Sequence, residues 1–322
     1  MLKLLKNKGF FNAPKLINIE LTTYCPINCP QCYKDNLNFD ELPFEKLKQI
    51  IDEVSELGTD ILLLSGGEPM MYEHIVDAIN YANGKGIKIG VSTSGVSFDK
   101  EKLDIFSKSN LNTLYISLNG STEEINSLSR DEYNSALNLI KDANRLGIKC
   151  KINWVARHDN INDLSSLIKL AKDMNVAGID ILSNKPGRDG IINSPMTKED
   201  FNKLVEILKK DSGFLSYQNC FVGLKNKLDS NKHSLFNGCS AGVYSMAITA
   251  TGRFKPCPHM NNDDLELSIK EYWYNNKSLN EFRKNNELKS NNCEVCVYSK
   301  KCRPCNVVIN KSKKCDIFEK VK

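Results

Sequence analysis

Between residue 16 and about residue 210 the chain alternates short apolar runs with longer amphipathic stretches. The runs are LINIEL (16–21), DILLLS (60–65), IKIGVS (87–92), TLYISL (113–118), IKCKINWV (148–155) and GIDILS (178–183). Each is too short for a helix, and DILLLS has the continuous apolarity of a strand buried on both faces. Between them, Phe44, Leu47, Ile50, Ile51, Val54 and Leu57 recur at helical spacing, with Pro43 placed for a first turn and Gly58 for a stop. Further helices are predicted over YEHIVDAINYANG (72–84), 100–107, 133–146 and LSSLIKLAKDM (164–174), and one opened by Thr197 with Asp200 as its capping partner. Six strand and helix alternations predict parallel strands joined by right-handed crossovers.

Strand order gives the polar motifs a common address. CPINCPQC (25–32) follows the first strand, SGGEP (65–69) the second, STSG (92–95) the third and SLNG (117–120) the fourth. The C-terminal strand ends of a parallel barrel share one face, so four motifs distant in sequence should meet at one pocket. Glycine and serine after a strand are ordinary turn chemistry, and any one motif alone would be read that way. Their coincidence with three closely spaced cysteines is what points to a site.

Composition sets the surroundings. The chain has 322 residues, 41% hydrophobic and 26% charged, which is the balance of a globular protein. Its net charge of +5 is scattered, without the dense basic stripes of a nucleic-acid binder. Lysines interrupt the first 16 residues, and no run approaches the roughly 20 apolar residues of a membrane span. A cytoplasmic protein with neither membrane nor nucleic-acid partner is expected. Twelve cysteines in such a chain suggest metal ligation or catalysis rather than disulfides. Three lie at Cys25, Cys29 and Cys32, and seven fall at Cys239, Cys257, Cys293, Cys296, Cys302, Cys305 and Cys315. A zinc site at the first group would need a fourth ligand, and His74, the nearest histidine in sequence, sits in a helical pattern. Three thiolates on a four-iron cluster would instead leave one iron open.

The spacing C-x3-C-x2-C in CPINCPQC after the first strand, followed by GGEP, resembles the radical S-adenosylmethionine enzymes over residues 16 to about 210. The resemblance implies a partial (β/α)6 TIM-like barrel, α/β in class. It implies that S-adenosylmethionine chelates the open iron and that an electron from the cluster breaks its carbon–sulfur bond. The resulting 5'-deoxyadenosyl radical then abstracts hydrogen from the substrate. By motif position, Cys25, Cys29 and Cys32 would hold the cluster. Gly66, Gly67, Glu68 and Pro69 would contact the methionyl amino group, and Ser94, Ser117 and Arg130 would lie near the ribose and carboxylate. Asn119 stands where related sequences read Asp, and Gln31 stands where many have an aromatic residue.

The later cysteines resemble the SPASM extension of that family over about 237–322, apart from two residues rather than three between Cys302 and Cys305. That resemblance implies two auxiliary 4Fe-4S clusters, three in all. Cys239, Cys257 and Cys305 would serve the first, and Cys293, Cys296, Cys302 and Cys315 the second. CEVC with CRPC alone would also suit a zinc knuckle. The expected organisation is an N-terminal segment 1–15, a barrel 16–212, a linker 213–236 and a cysteine-rich domain 237–322. Cys220 in the linker is a candidate fourth ligand or hydrogen donor. Cys150 alternates with Ile148 and Ile152 in a strand and reads as a core residue. The resemblance further implies a peptide or protein substrate, modified by thioether or carbon–carbon crosslinking or by epimerisation. It also implies a reductase, flavodoxin or ferredoxin as electron donor. Formylglycine formation in a sulfatase and cofactor biosynthesis are alternatives, and a non-catalytic iron–sulfur electron carrier is an alternative of another class.

Overall fold

In the computed structural model the described residues are 9–34, 39–109, 111–221, 224, 228, 238–261, 263–285 and 303–308. Strands β1 (Leu16–Glu20), β2 (Ile61–Ser65), β3 (Lys88–Thr93), β4 (Leu111–Ser117), β5 (Cys150–Ala156) and β6 (Ile179–Ser183) lie within a few residues of the predicted runs. Helices α1 (Phe44–Leu57), α2 (Ile75–Gly84), α3 (Lys100–Lys108), α5 (Tyr133–Arg145), α6 (Leu164–Asp173) and α7 (Lys198–Lys210) occupy the crossovers, with a short α4 (Glu123–Ser127) before α5. Pro43 proves to be the N-cap of α1, and Gly58 closes that helix in a left-handed conformation with φ 78°. α2 starts later than its apolar pattern suggests, because Pro69–Met71 forms a separate 3-10 turn capped by Glu68. The Thr197 and Asp200 capping box is formed in both directions.

The sheet runs in the order β7-β6-β5-β4-β3-β2-β1-β8-β9 and, among the described residues, does not close on itself. Its edges come from chain beyond the alternating region. β7 (Leu215–Tyr217) extends β6 in parallel, and β8 (Ser245–Ile248) pairs in parallel with β1, Leu16 opposite Ser245. β9 (Phe254–Lys255) turns back antiparallel on β8. Two further helices follow, α8 (Ile269–Asn275) and α9 (Lys277–Asn285).

Burial alternates along the strands, and this explains both faces of the sheet. Ile17, Ile19, Leu62, Leu64, Ile152, Trp154, Ile179 and Ile181 are fully buried or nearly so, in one core with Ile51, Ile79, Phe106, Ile140, Ile168 and Leu204 of the helices. The intervening positions are half-buried, and polar residues among them pair across strands. Ser65 donates to Asn18 Oδ1 at 2.7 Å, and Lys151 pairs with Asp180 at 2.6 Å. Helices thus cover the fully buried face, while the inner face is a half-buried lumen lined by polar and apolar residues. Fully buried Trp273 of α8 packs edge-on against Phe10 and donates from Nε1 to Phe11 O at 2.8 Å, fastening the later helices to the chain ahead of β1. Among the described residues no helix is long and apolar enough to cross a membrane.

Candidate functional site

The cysteine loop after β1 is braced by two neighbouring loops, one between α4 and α5 and one after β6. Gln31 N donates to Ser129 O at 3.2 Å, Asn28 N to Asp131 Oδ2 at 3.1 Å, and Arg188 N to Cys32 O at 3.0 Å. Within the loop Cys32 N reaches Cys29 O at 3.1 Å. Cys29 is buried, Cys25 and Cys32 half-buried. Burial pushes the Cys25 thiol up to about 11, and the nearby charges of Glu68, Cys29 and Cys32 push the same way. Such a group stays a thiol until a cation displaces its proton.

The loop after β2 lies directly against this segment. Gly67 N donates to Thr22 O at 2.7 Å and Glu68 N to Tyr24 O at 2.8 Å. A β-carbon on Gly66 would stand 2.5 Å from Thr22 O, and one on Gly67 2.1 Å from Tyr24 O, so both positions require glycine. The buried Glu68 carboxylate faces β3: Thr93 Oγ1 donates to it at 2.6 Å, Ser94 N at 2.9 Å, Ser94 Oγ at 2.5 Å and Met70 N at 3.2 Å. The acid and the Ser94 hydroxyl therefore hold each other, locking the ends of β2 and β3 together. Burial raises Glu68 above its ordinary range even so, against the pull of these four donors.

Ser117 ends β4, and Arg130 follows α4. Arg130 Nε is buried without a hydrogen-bonding partner. A guanidinium in that condition suits an arriving anion. His74 is remote from the cysteines in role: it stacks on Phe44 at 4.8 Å and approaches Asp77 at 3.4 Å.

The later cysteines form a second group. The Cys220 thiol hydrogen-bonds those of Cys239 and Cys305; the Cys239 bond raises Cys220 against the opposing pull of the Cys305 bond, the Cys220 bond raises Cys305, and burial raises both. Cys257 lies within electrostatic reach of Cys220 and Cys305, and its thiol is pushed by burial to about 12. Lys185, two residues beyond β6, stands among all four: burial opposes its charge, but the four sulfurs outweigh burial and raise it. Cys239 N also donates to Arg303 O at 2.8 Å, joining the segments that carry Cys239 and Cys305. Among the described residues no three His, Cys, Asp or Glu side chains converge on a point as a single-ion site would need. Thiols in a hydrogen-bonded row are spaced differently from thiolates around a cluster. Cys293, Cys296, Cys302 and Cys315 lie outside the described residues. Cys150 is buried in the sheet, its thiol raised to about 12 by burial alone and directed to Ile148 O at 3.4 Å.

The two cysteine groups are bridged. Tyr33, next to Cys32, meets the ring of His259, two residues beyond Cys257, with centroids 4.0 Å apart. His259 Nδ1 is buried and unpartnered; burial, then Lys185 and Lys34, hold the imidazole well below its ordinary value and so neutral. Lys34 pairs with Glu20 at the end of β1. Sequence motifs did not single out Lys185 or His259. Lys185 had a usable signal, since it follows a strand end as SGGEP and STSG do.

Comparison with known proteins bears on the fold and on the first cysteine loop. AdoMet-dependent heme synthase of Methanosarcina barkeri is 23% identical over 320 residues, covering 91% of each chain. The Streptococcus suis SuiB structure bound to precursor peptide SuiA matches with a TM-score of 0.79 at 19% identity, covering 98% of this chain and 77% of that one. Native anSMEcpe with bound AdoMet matches with a TM-score of 0.73 at 16% identity, covering 94% and 92%. Residues 19–171, which hold the Cys25 to Cys32 loop and the glycine loop packed against it, match the Radical SAM superfamily.

Proposed function

We propose that this chain is a radical S-adenosylmethionine enzyme that removes a hydrogen atom from a peptide or protein substrate and uses an iron–sulfur group at its second cysteine set. The observation that carries this reading is the gathering of Cys220, Cys239, Cys257 and Cys305 around Lys185, joined to the Cys25 to Cys32 loop through Tyr33 and His259. A catalyst that only generates a radical has no need of a second thiol set in its lumen. Four cysteines would close one auxiliary cluster completely, with Cys220 as the ligand that the spacing of the other three lacks. Cys293, Cys296, Cys302 and Cys315 would hold another.

The residues at the first set fit a cluster with an open iron and the cofactor bound to it. Three cysteines supply thiolates, and the unpartnered Arg130 Nε suits the methionyl carboxylate. When bound, the cofactor and reduced cluster would supply the 5'-deoxyadenosyl radical. The protein's part is to orient and enclose. Gly66 and Gly67 let the β2 loop lie against the cysteine loop, and Glu68 fixes that loop to Thr93 and Ser94. Ser94 thus braces the site through Glu68, while Ser117 stands at the adjoining strand end. The unclosed sheet leaves a lateral way into the lumen for an extended chain, and SuiB, of the same fold over 98% of this chain, was solved with a precursor peptide.

A second reading is cofactor biosynthesis of the haem-forming kind, favoured by heme synthase relatives aligned over 91% of this chain. The test is anaerobic incubation of reconstituted protein with S-adenosylmethionine and dithionite, read for 5'-deoxyadenosine. It is repeated with short peptides encoded beside the gene and with a porphyrin precursor. A peptide losing two hydrogens, or gaining deuterium from solvent at unchanged mass, supports the first reading. Haem formation supports the second, and no cleavage of S-adenosylmethionine at all leaves an electron carrier.

A further inference from the structure

The lumen contains several lysines, and one of them differs from the rest in what it faces. Lys34 is paired with Glu20, and Lys151 is paired with Asp180 at 2.6 Å. Lys185 has no carboxylate partner among the described residues. Its ammonium donates to Gln218 Oε1 at 3.2 Å and to Ser183 O at 3.4 Å, both neutral. Gln218 Oε1 also accepts the Ser183 N–H at 3.3 Å, so one amide oxygen clamps the end of β6 and the lysine together. Two residues beyond Gln218 is Cys220, whose thiol reaches Cys239 and Cys305. Among the described residues, the groups whose ionised form would balance the Lys185 charge are therefore the sulfurs of Cys220, Cys239, Cys257 and Cys305.

We propose that Lys185 is a fixed cation set against the first auxiliary cluster, where it favours the reduced state and raises that cluster's reduction potential. The inference rests on the reading that Cys220, Cys239, Cys257 and Cys305 hold a 4Fe-4S cluster. Four thiolates give such a cluster a net charge of about −2 when oxidised and −3 when reduced. A nearby cation outside bulk water stabilises the more negative state more strongly. Charge and surroundings are among the levers that set cluster potentials. The functional consequence concerns one electron. When a substrate radical, already short of one hydrogen atom, closes its new bond and releases a proton, it gives up one electron. A cluster held by Cys220, Cys239, Cys257 and Cys305 would supply the acceptor for that electron, and the Lys185 charge beside it would make the transfer more favourable.

The test uses the full chain, reconstituted anaerobically, as wild type, Lys185→Gln and Lys185→Arg. Gln removes the charge and keeps a donor for Gln218; Arg keeps the charge. Iron and sulfide are counted, and each reduced cluster is followed by electron paramagnetic resonance during titration with dithionite. In Lys185→Gln the reduction equilibrium of one cluster should fall at least tenfold, a negative shift of about 59 mV for a one-electron couple. Iron content and the other signals should not change, and Lys185→Arg should stay near wild type. An unmoved potential in Lys185→Gln with iron intact overturns the proposal, and so does an equal shift of every cluster. Loss of iron from Lys185→Gln and Lys185→Arg alike also overturns it, because the residue would then serve assembly rather than potential. Wild-type protein holding only about four irons would instead overturn the cysteine assignment beneath it.

Discussion

Asn119 donates through Nδ2 to Gln31 Oε1 at 3.0 Å, tying the residue before Cys32 to the end of β4. In the barrel motifs these are the two positions that depart from the pattern of the sequences they resemble. The Asn119 amide is fully used: Oδ1 accepts from Val155 N at 2.9 Å, and Nδ2 also reaches Ser129 Oγ at 2.8 Å. Its backbone carbonyl accepts from Trp154 Nε1 and Asn160 Nδ2. Its backbone N–H donates to Asn126 Oδ1 at 2.8 Å, and because the residue is completely buried these partners satisfy it in place of water. Asn119→Ala should cost about 2–4 kcal/mol in urea unfolding, since it strands the Val155 N–H and two side-chain groups. Combined with Gln31→Ala it should be non-additive by about 1 kcal/mol, the share that belongs to the pair. Strict additivity would show that Gln31 is only a neighbour.

Glu68 makes a pH prediction whose sign follows from its surroundings. Burial raises it above its ordinary value of 4.5, so the folded chain holds this proton more tightly than the unfolded one. The resulting stabilisation is complete below that ordinary value and is lost as pH rises through the folded one. Glu68→Gln should be less stable throughout, because its amide N–H groups face donors. The stability advantage of wild type over this variant should shrink as pH rises from about 4.5, by at most about 1.4 kcal/mol per unit. Urea midpoints for both proteins across pH 4 to 8 check this, and a widening advantage would contradict it.

Gly67 supports a sharper contrast. Adding a β-carbon 2.1 Å from Tyr24 O forces the β2 loop away from the segment leading into Cys25. Gly67→Ala should destabilise the fold by about 2–3 kcal/mol and lower iron by about four per chain. Gly86 is the control: its φ is +76° with nothing within 4 Å, so alanine meets only backbone strain. Gly86→Ala should cost about 1 kcal/mol and leave iron unchanged.

How far these features can be read from the chain depends on where the determining contact lies. β1 to β6 and their helices carry local signals, two-residue alternation or a 3.6-residue stripe, and each is legible alone. β8 has no such signal: Ser245–Ile248 is four residues in a cysteine-rich stretch, and it is a strand because β1 lies beside it. β7, three residues long, depends on β6 in the same way. The strand-end loops place Cys25 to Cys32 beside Gly66 and Gly67 by topology alone. The Glu68 carboxylate is harder, because only the fold shows that Thr93 and Ser94 consume it. Lys185 and His259 are harder still, since each matters through residues more than 30 positions away.

Cys150 and Cys220 allow the assignment of chemistry to be tested against plain burial. Both thiols are raised, but from different causes. For Cys150 the cause is burial, in a strand whose neighbours are core residues, with its thiol on a backbone carbonyl. For Cys220 the leading cause is the hydrogen bond to Cys239, with Cys305 as a second partner and Lys185 nearby. A buried cysteine without such partners behaves as a small hydrophobe. Cys150→Ala should therefore cost about 1–2 kcal/mol of stability through the space it leaves, with iron and spectra unaltered. Cys220→Ala should remove or remodel one cluster, seen as a loss of up to about four irons or as a changed paramagnetic signal, while the signal of the Cys25, Cys29 and Cys32 cluster persists. Identical iron content and spectra in the two variants would place Cys220 with Cys150 as packing, and leave Cys239, Cys257 and Cys305 one thiolate short.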